Sequence, residues 1–360
     1  MHFTFDMKNY SKKTLQFFID QSWSQRWLFL AMVVSIISGI AIEMLIPIYY
    51  KEIFDVMVET TTVDKTELVP ALFDILWKIV ACVLGMNVFW RFNEFSNNFF
   101  QPRVMMKIAN TCFANLDRHS YRFFSNNFSG SLVRKVNRIV RAFENFAGRI
   151  YWDLIPLSTR ISLTIIIIWW FSPIMGLTFL VWTILFVIGN VWAARFKYPT
   201  ELKANTMDSK LSANLADVIT NIHNVKLFTS HAYERKRFDS NTNTWRKLTK
   251  WAWDLSSYIN AIQATFMIAL EIFVIYLFIV LWSRGEVTAG FLIMVQSYLL
   301  IMFTRLWDFG RMIHDVYKAF ADAEEMTKIL NTPHEIQDIA DAQKLEISQG
   351  QVSFEKVSFS

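Results

Sequence analysis

Six stretches of this chain are apolar over about the length that crosses a bilayer, and no soluble core needs so many. A hydrocarbon layer about 30 Å thick takes about 20 helical residues. Residues 27–50, 71–89, 150–171, 174–194, 261–282 and 291–303 meet or approach that length. The fourth stretch carries no charge, and the fifth is interrupted only by Glu271. Trp27, Tyr50, Trp170, Trp192 and Trp282 stand at their ends, where amphipathic rings sit at the headgroup level. Composition agrees: 53% of the 360 residues are hydrophobic and 19% charged, against about 25% charged in a soluble domain. The fold class expected is an all-α membrane protein with six transmembrane helices.

Six spans put both termini on one side. The loop 51–70 has two Lys against five Asp and Glu, a net of −3. The other turns on that side, at Ser172-Pro173 and at about 283–286, are very short. The region 91–149 has ten Arg and Lys against three acids (+7), and 195–254 has eleven against six (+5). Basic loops stay in the cytoplasm, so both long regions and both termini are expected there. Residues 1–26, with Lys8, Lys12 and Lys13 and no small-residue cleavage site after them, read as a cytoplasmic arm. The net charge of +5 then reports loop topology, and nucleic acid is not an expected partner. Cys82 and Cys112 suit neither a disulfide nor zinc. His119, His223, His231 and His314 share no metal-ligand spacing, so no metal is expected.

The two long regions are patterned as helices. Val133, Val136, Val140, Phe143, Ala147 and Ile150 recur every three or four residues, as do Leu211, Leu215, Val218, Ile222 and Val225. Such stripes suit helix–helix packing. The spans are therefore expected to run on as two long cytoplasmic hairpins, turning in "DRHSYRFFSNNFSG" and "LFTSHAYERKRF". Arg134, Arg138 and Arg141 form a basic stripe that reads as a solvated face or as a contact for anionic lipid or an acidic partner.

Charges within spans are costly and often functional. Arg160 and Glu271 each lie eleven residues from an outer span end, so an ion pair between the third and fifth spans is one expectation and a substrate contact the other. Glu43 reads as a water-exposed position in an outer cavity. Arg305 and Asp308, three apart, are expected to pair with each other. Beyond residue 330 the chain turns polar, and it ends on "GQVSFEKVSFS", whose period-two pattern reads as a strand.

These segments in this order resemble the transmembrane domain of an ABC exporter of the half-transporter type. "RFFSNNFSGSLVRKVNR" is similar to the family's first intracellular loop. "LADVITNIHNVKLFTSHAYERKRF" is similar to the second, around Val225, Lys226 and Phe228. "VTAGFLIMVQSYL" looks like the start of the sixth span and "AFADAEEMTKILNTPHEI" like the helix leading to the nucleotide-binding domain. "GQVSFEKVSFS" resembles that domain's opening strand. Departures are Lys135 where Arg is usual, Ile139 where Asp is usual, His231 where Glu is usual and Glu325 where Arg is usual.

The resemblance implies a transmembrane domain over 27–330, then a linker and the first strand of a nucleotide-binding domain over 331–360. It implies coupling contacts with nucleotide-binding domains at Asp117, Arg118, His119, Tyr121, Arg122, Phe123 and Phe124, and at Phe228, His231, Tyr233 and Glu234. It also implies a second transmembrane half, as homo- or heterodimer, and a multi-pass position in the lipid bilayer, expected to be a bacterial inner membrane. No G-x-x-x-x-G-K-[ST] loop occurs in the chain, so ATP and Mg2+ are expected on the nucleotide-binding domain, with no cofactor or catalytic residue on this chain. The function implied is the permease part of an ATP-driven exporter. The alternatives are a channel or scaffold without ATPase coupling, or an intramembrane enzyme, for which no convincing pair of catalytic groups stands out.

Overall fold

The computed structural model describes residues 3–59, 65–228, 231–336, 341–342 and 350–358. Among these, six stretches are long and apolar enough to cross a membrane: Arg26–Val58, Lys65–Asp117, Ser129–Phe171, Pro173–Thr220, His231–Ser283 and Ala289–Leu330. Each contains one of the apolar segments read from the sequence, or nearly all of it.

An N-terminal helix α1 (Phe3–Trp23) precedes the first span, which is two helices, α2 (Arg26–Glu43) and α3 (Ile46–Glu59). Pro47 explains the break. Its ring would clash with the carbonyl of Glu43 in a continuous helix, whereas in the first turn of α3 its missing N–H costs no bond. The carbonyl of Met44 at the break accepts the buried Tyr298 hydroxyl at 2.6 Å, so no acceptor is left bare in an apolar setting.

The second span is α4 (Lys65–Asp117), 53 residues long. The third is α6 (Ser129–Gly148), a π-helical turn (Arg149–Leu154) and α7 (Ile155–Phe171). The fourth and fifth are α8 (Pro173–Thr220) and α10 (His231–Ser283), of 48 and 53 residues. The sixth is α11 (Ala289–Leu306), continued by α12 (Phe309–Leu330). Helices of 48–53 residues are about 70–80 Å long, more than twice the hydrocarbon thickness. Two short helices, α5 (Tyr121–Asn126) and α9 (Ile222–Leu227), lie at the hairpin ends.

The opposite end has tight turns. Ser172 is extended, and Pro173 starts α8 directly. A Cβ on Gly176 would lie 2.6 Å from the Trp169 Cα and 2.9 Å from its nitrogen, so α7 and α8 touch backbone to backbone. Asp55 of α3 accepts the Gly290 N–H at 2.8 Å and the Thr288 hydroxyl at 2.9 Å, and pairs with Lys51 at 2.7 Å. An acid of the first span thereby caps the first turn of the sixth.

Two apolar clusters form the core. One joins the spans through residues such as Ile36, Phe179, Val274, Met294 and Tyr298. The other lies toward the hairpin end and joins α1, α4, α6 and α12 through Phe18, Phe100, Phe143 and Met326. The seam of α6 differs in register from the reading above. Val133 is exposed, and Leu132, Ile139, Phe143 and Ala147 are buried. Ile139, at a position where the family usually has Asp, is a core residue here. The second stripe is covered less: Leu215 and Ile222 stay exposed, because α8 packs chiefly on α10 and α7.

Residues 350–358 hold no strand, and Val352, Phe354 and Val357 are exposed. A lone strand has no neighbour for its donors and acceptors. Much of the linker expected at 331–350, namely 337–340 and 343–349, lies outside the described residues.

Gly176→Leu is expected to force α7 and α8 apart and to cost about 1–3 kcal/mol. A thermal melt of the detergent-solubilised protein reads this, and an unchanged midpoint contradicts the close contact.

Candidate functional site

The first hairpin tip is built around His119. Helix α4 stops at Asp117, and the Ser120 hydroxyl caps α5 by accepting the Phe123 N–H at 3.4 Å. The Phe123 ring stacks on the buried His119 imidazole, 4.1 Å between centroids. His119 also faces the chain that leaves α12. Its Nδ1 is 3.4 Å from a Glu335 oxygen, which accepts the Ser120 N–H at 3.2 Å. Nε2 of His334 is 3.2 Å from the Asn115 carbonyl oxygen. Glu335 is held below its ordinary carboxyl value, first by backbone N–H groups, its own and that of Ser120, and then by His119.

The tip thus turns His119 inward and half of Phe123 with it. Asp117, Arg118, Tyr121, Arg122 and Phe124 face solvent, and Tyr121 is 88% exposed. These seven residues were expected to act together, and they do share one tip. The contribution of His334 and Glu335 was not read from the sequence, where "TPHEI" looks only like a polar linker.

The short helix of the second tip, α9, lies ahead of the predicted residues. The Asn221 amide donates to the Asp217 carbonyl at 3.0 Å and to its carboxylate at 3.1 Å. Such side-chain bonds compete with the helix ladder, and α8 ends at Thr220. Phe228 follows α9 and is exposed, residues 229–230 lie outside the described residues, and His231 and Tyr233 are exposed in the first turn of α10. Glu234 is half-buried and 3.7 Å from Arg237.

Within the spans, the expected Arg160–Glu271 pair is not formed. Arg160 donates to both oxygens of Glu43, at 2.8 and 3.4 Å, and its guanidinium lies 5.9 Å from the Trp90 ring centre. Glu43, read as water-exposed, is therefore half of a largely buried ion pair. Glu271 accepts from Gln296 at 2.7 Å. Depth along a helix does not say which way a side chain points around the axis. Asp308 likewise pairs with Arg311 at 2.8 Å and not with Arg305. Asn190 accepts from Gln263 between α8 and α10.

The basic stripe of α6 has an acidic partner in its own chain. Arg138 is 3.3 Å from Glu325 and 3.8 Å from Asp322, and Lys135 is 3.9 Å from Glu325. Lys135 and Glu325, two of the departures from the family pattern, thus form a contact with each other. Arg134 and Arg141 remain exposed.

Six membrane-crossing stretches whose helices run on into two hairpins tipped by short helices define a transport domain of the ABC type. Residues 28–306 match the ABC transporter transmembrane region, and the chain belongs to that family. It is 25% identical to an ATM1-type heavy metal exporter of Novosphingobium aromaticivorans, covering 91% of this chain and 54% of the relative. It is 24% identical to ATP-binding cassette sub-family B member 6 of Xenopus tropicalis, covering 97% and 42%. A solved bacterial Atm1-family ABC exporter with ATP bound shares its fold, with a TM-score of 0.67 at 19% identity over 89% of this chain and 56% of that one. The chain spans about half the length of the curated relatives it matches.

Two outcomes test this geometry. Arg160→Met leaves Glu43 without its partner and is expected to cost about 3–5 kcal/mol, while Glu43→Gln with Arg160→Met recovers most of the loss. Equal melting temperatures for the single and double variants contradict the pair. The Glu335 contact carries a sign: a carboxyl with a lowered folded pKa stabilises above its unfolded value, about 4.3, and loses that contribution as pH falls through the folded value. Hydrogen-exchange protection of α5 should therefore hold at pH 7 and drop below about pH 4, and Glu335→Gln should remove that step.

Proposed function

We propose that this chain is the permease part of an ATP-driven exporter. Two transmembrane halves would enclose a pathway that opens alternately to each side. The hairpin end and both termini would lie in the cytoplasm, in a bacterial inner membrane, where nucleotide-binding domains dock on the tips. The observation that carries this reading is mechanical. The helices α4, α8 and α10 each run unbroken from span to hairpin, so a displacement at a tip is delivered into the membrane. Exposed aromatic side chains at both tips, Tyr121 and Phe124 on one and Phe228 and Tyr233 on the other, give a partner surface something to grip.

ATP and Mg2+ belong on the nucleotide-binding domains in this reading, since the chain has no phosphate-binding loop of its own. Family membership, the heavy metal exporter among the relatives and the similar fold of an ABC exporter solved with ATP bound support it.

The experiment is ATP-driven uptake into inside-out vesicles holding the transporter with its nucleotide-binding domains. Tyr121→Ala combined with Phe228→Ala is expected to cut transport at least tenfold while ATP hydrolysis persists. Undiminished transport overturns the coupling role.

A further inference from the structure

Between α8, α10 and α12 lies a cleft of about 340 Å3, at the lower end of the range for small-molecule sites, about 300–1,000 Å3. It sits just beyond the spans, on the hairpin side. Glu201 is seven residues past the apolar segment 174–194, about 10 Å, and Trp253 eight residues before 261–282, about 12 Å. Buried Ala204 and Ala252 are small enough to let the two helices leave a hollow above them.

The chemistry of the walls is one-sided. Glu201 and Asp208, seven apart on α8, share one face of that helix, and Trp245 and Trp253 line α10. His314 of α12 also lines the cleft, which has no Lys or Arg in its lining. Lys197, one turn nearer the spans, takes one Glu201 oxygen at 2.7 Å. Asp208 has no ion pair among the described residues. Trp253 is 71% exposed, a large apolar ring lining the same cleft as Glu201 and Asp208. Indole faces and carboxylates both attract positive charge, and the rings favour a diffuse cation over a tightly hydrated one. Among the described residues no group of three His, Cys, Asp or Glu is set to hold a metal ion.

We propose that this cleft binds an amphipathic organic cation, with an aromatic, quaternary ammonium or phosphonium head, as it leaves the cytoplasm for the pathway. This names a substrate class for the exporter proposed above and rests on that reading.

The test is equilibrium binding of radiolabelled tetraphenylphosphonium to the protein in lipid nanodiscs, with no nucleotide present. Tetraphenylborate, of the same shape and opposite charge, is the competitor. Saturable binding of the cation is expected, with little displacement by the borate. Glu201→Gln with Asp208→Asn should weaken it at least tenfold, and so should Trp253→Leu. Lys203→Gln, outside the cleft lining, should leave it unchanged. Thermal melts matching the unsubstituted protein establish that each variant is folded. No saturable binding, full affinity in the folded carboxylate variant, or equal displacement by the borate overturns the site. Because the assay contains no ATP, failure of ATP-driven uptake would count against the exporter reading and leave this measurement standing.

Discussion

A helix satisfies its own backbone inside lipid, and this chain keeps that arrangement going long after the lipid has stopped. The rest of the structure depends on that continuity. Helices that leave the bilayer unbroken need something to pack against outside it. The second apolar cluster supplies this for α4, α6 and α12, with α1 laid alongside. The ion pairs of Arg138 and Lys135 with α12 edge the same seam, where partly exposed charges add little energy. Among the described residues the α8–α10 hairpin has less cover, and Leu215 and Ile222 of its stripe stay exposed.

Where the helices do break, the freed groups are taken up by other spans. Met44 hands its carbonyl to Tyr298, Glu43 beside it takes Arg160, and Asp55 caps the start of α11. These three contacts join the first span to the third and sixth, two of them at the break and the third eleven residues on at Asp55. The α3 half of the first span therefore packs with the sixth, while its α2 half packs on α4 and α7.

The sequence made the fold legible because membrane spans announce themselves by length and polarity alone. The six spans, their order, the Ser172-Pro173 turn and both hairpins could all be read. The first tip turns within the polar stretch "DRHSYRFFSNNFSG", where it was expected; the Ser120 cap that starts its short helix is visible only in the structure. The second was placed late, since nothing in the pattern marks Asn221 as the residue that stops α8. The partners of the buried charges were not legible. Arg160 could be given a depth, but Glu43 and Glu271 differ in where they point, and that is settled by packing between helices far apart in sequence. The tie from His119 to Glu335 joins residues 216 apart, and neither carries a local pattern that names the other. The register slip at Val133 is smaller in kind: two adjacent stripes on α6 are both apolar, and only contact with α4 and α12 selects one.

The central claim is that α10 carries motion rigidly from tip to membrane. Spin-label distances in the nucleotide-driven assembly test it most directly. Labels at Arg237 and Thr265 lie 28 residues apart on α10, about 42 Å along one continuous helix. On adding ATP that distance is predicted to stay constant, while the distance between the Arg237 labels of the two halves shortens by several ångströms. A changed distance within α10, or an unchanged one between the halves, would contradict the account.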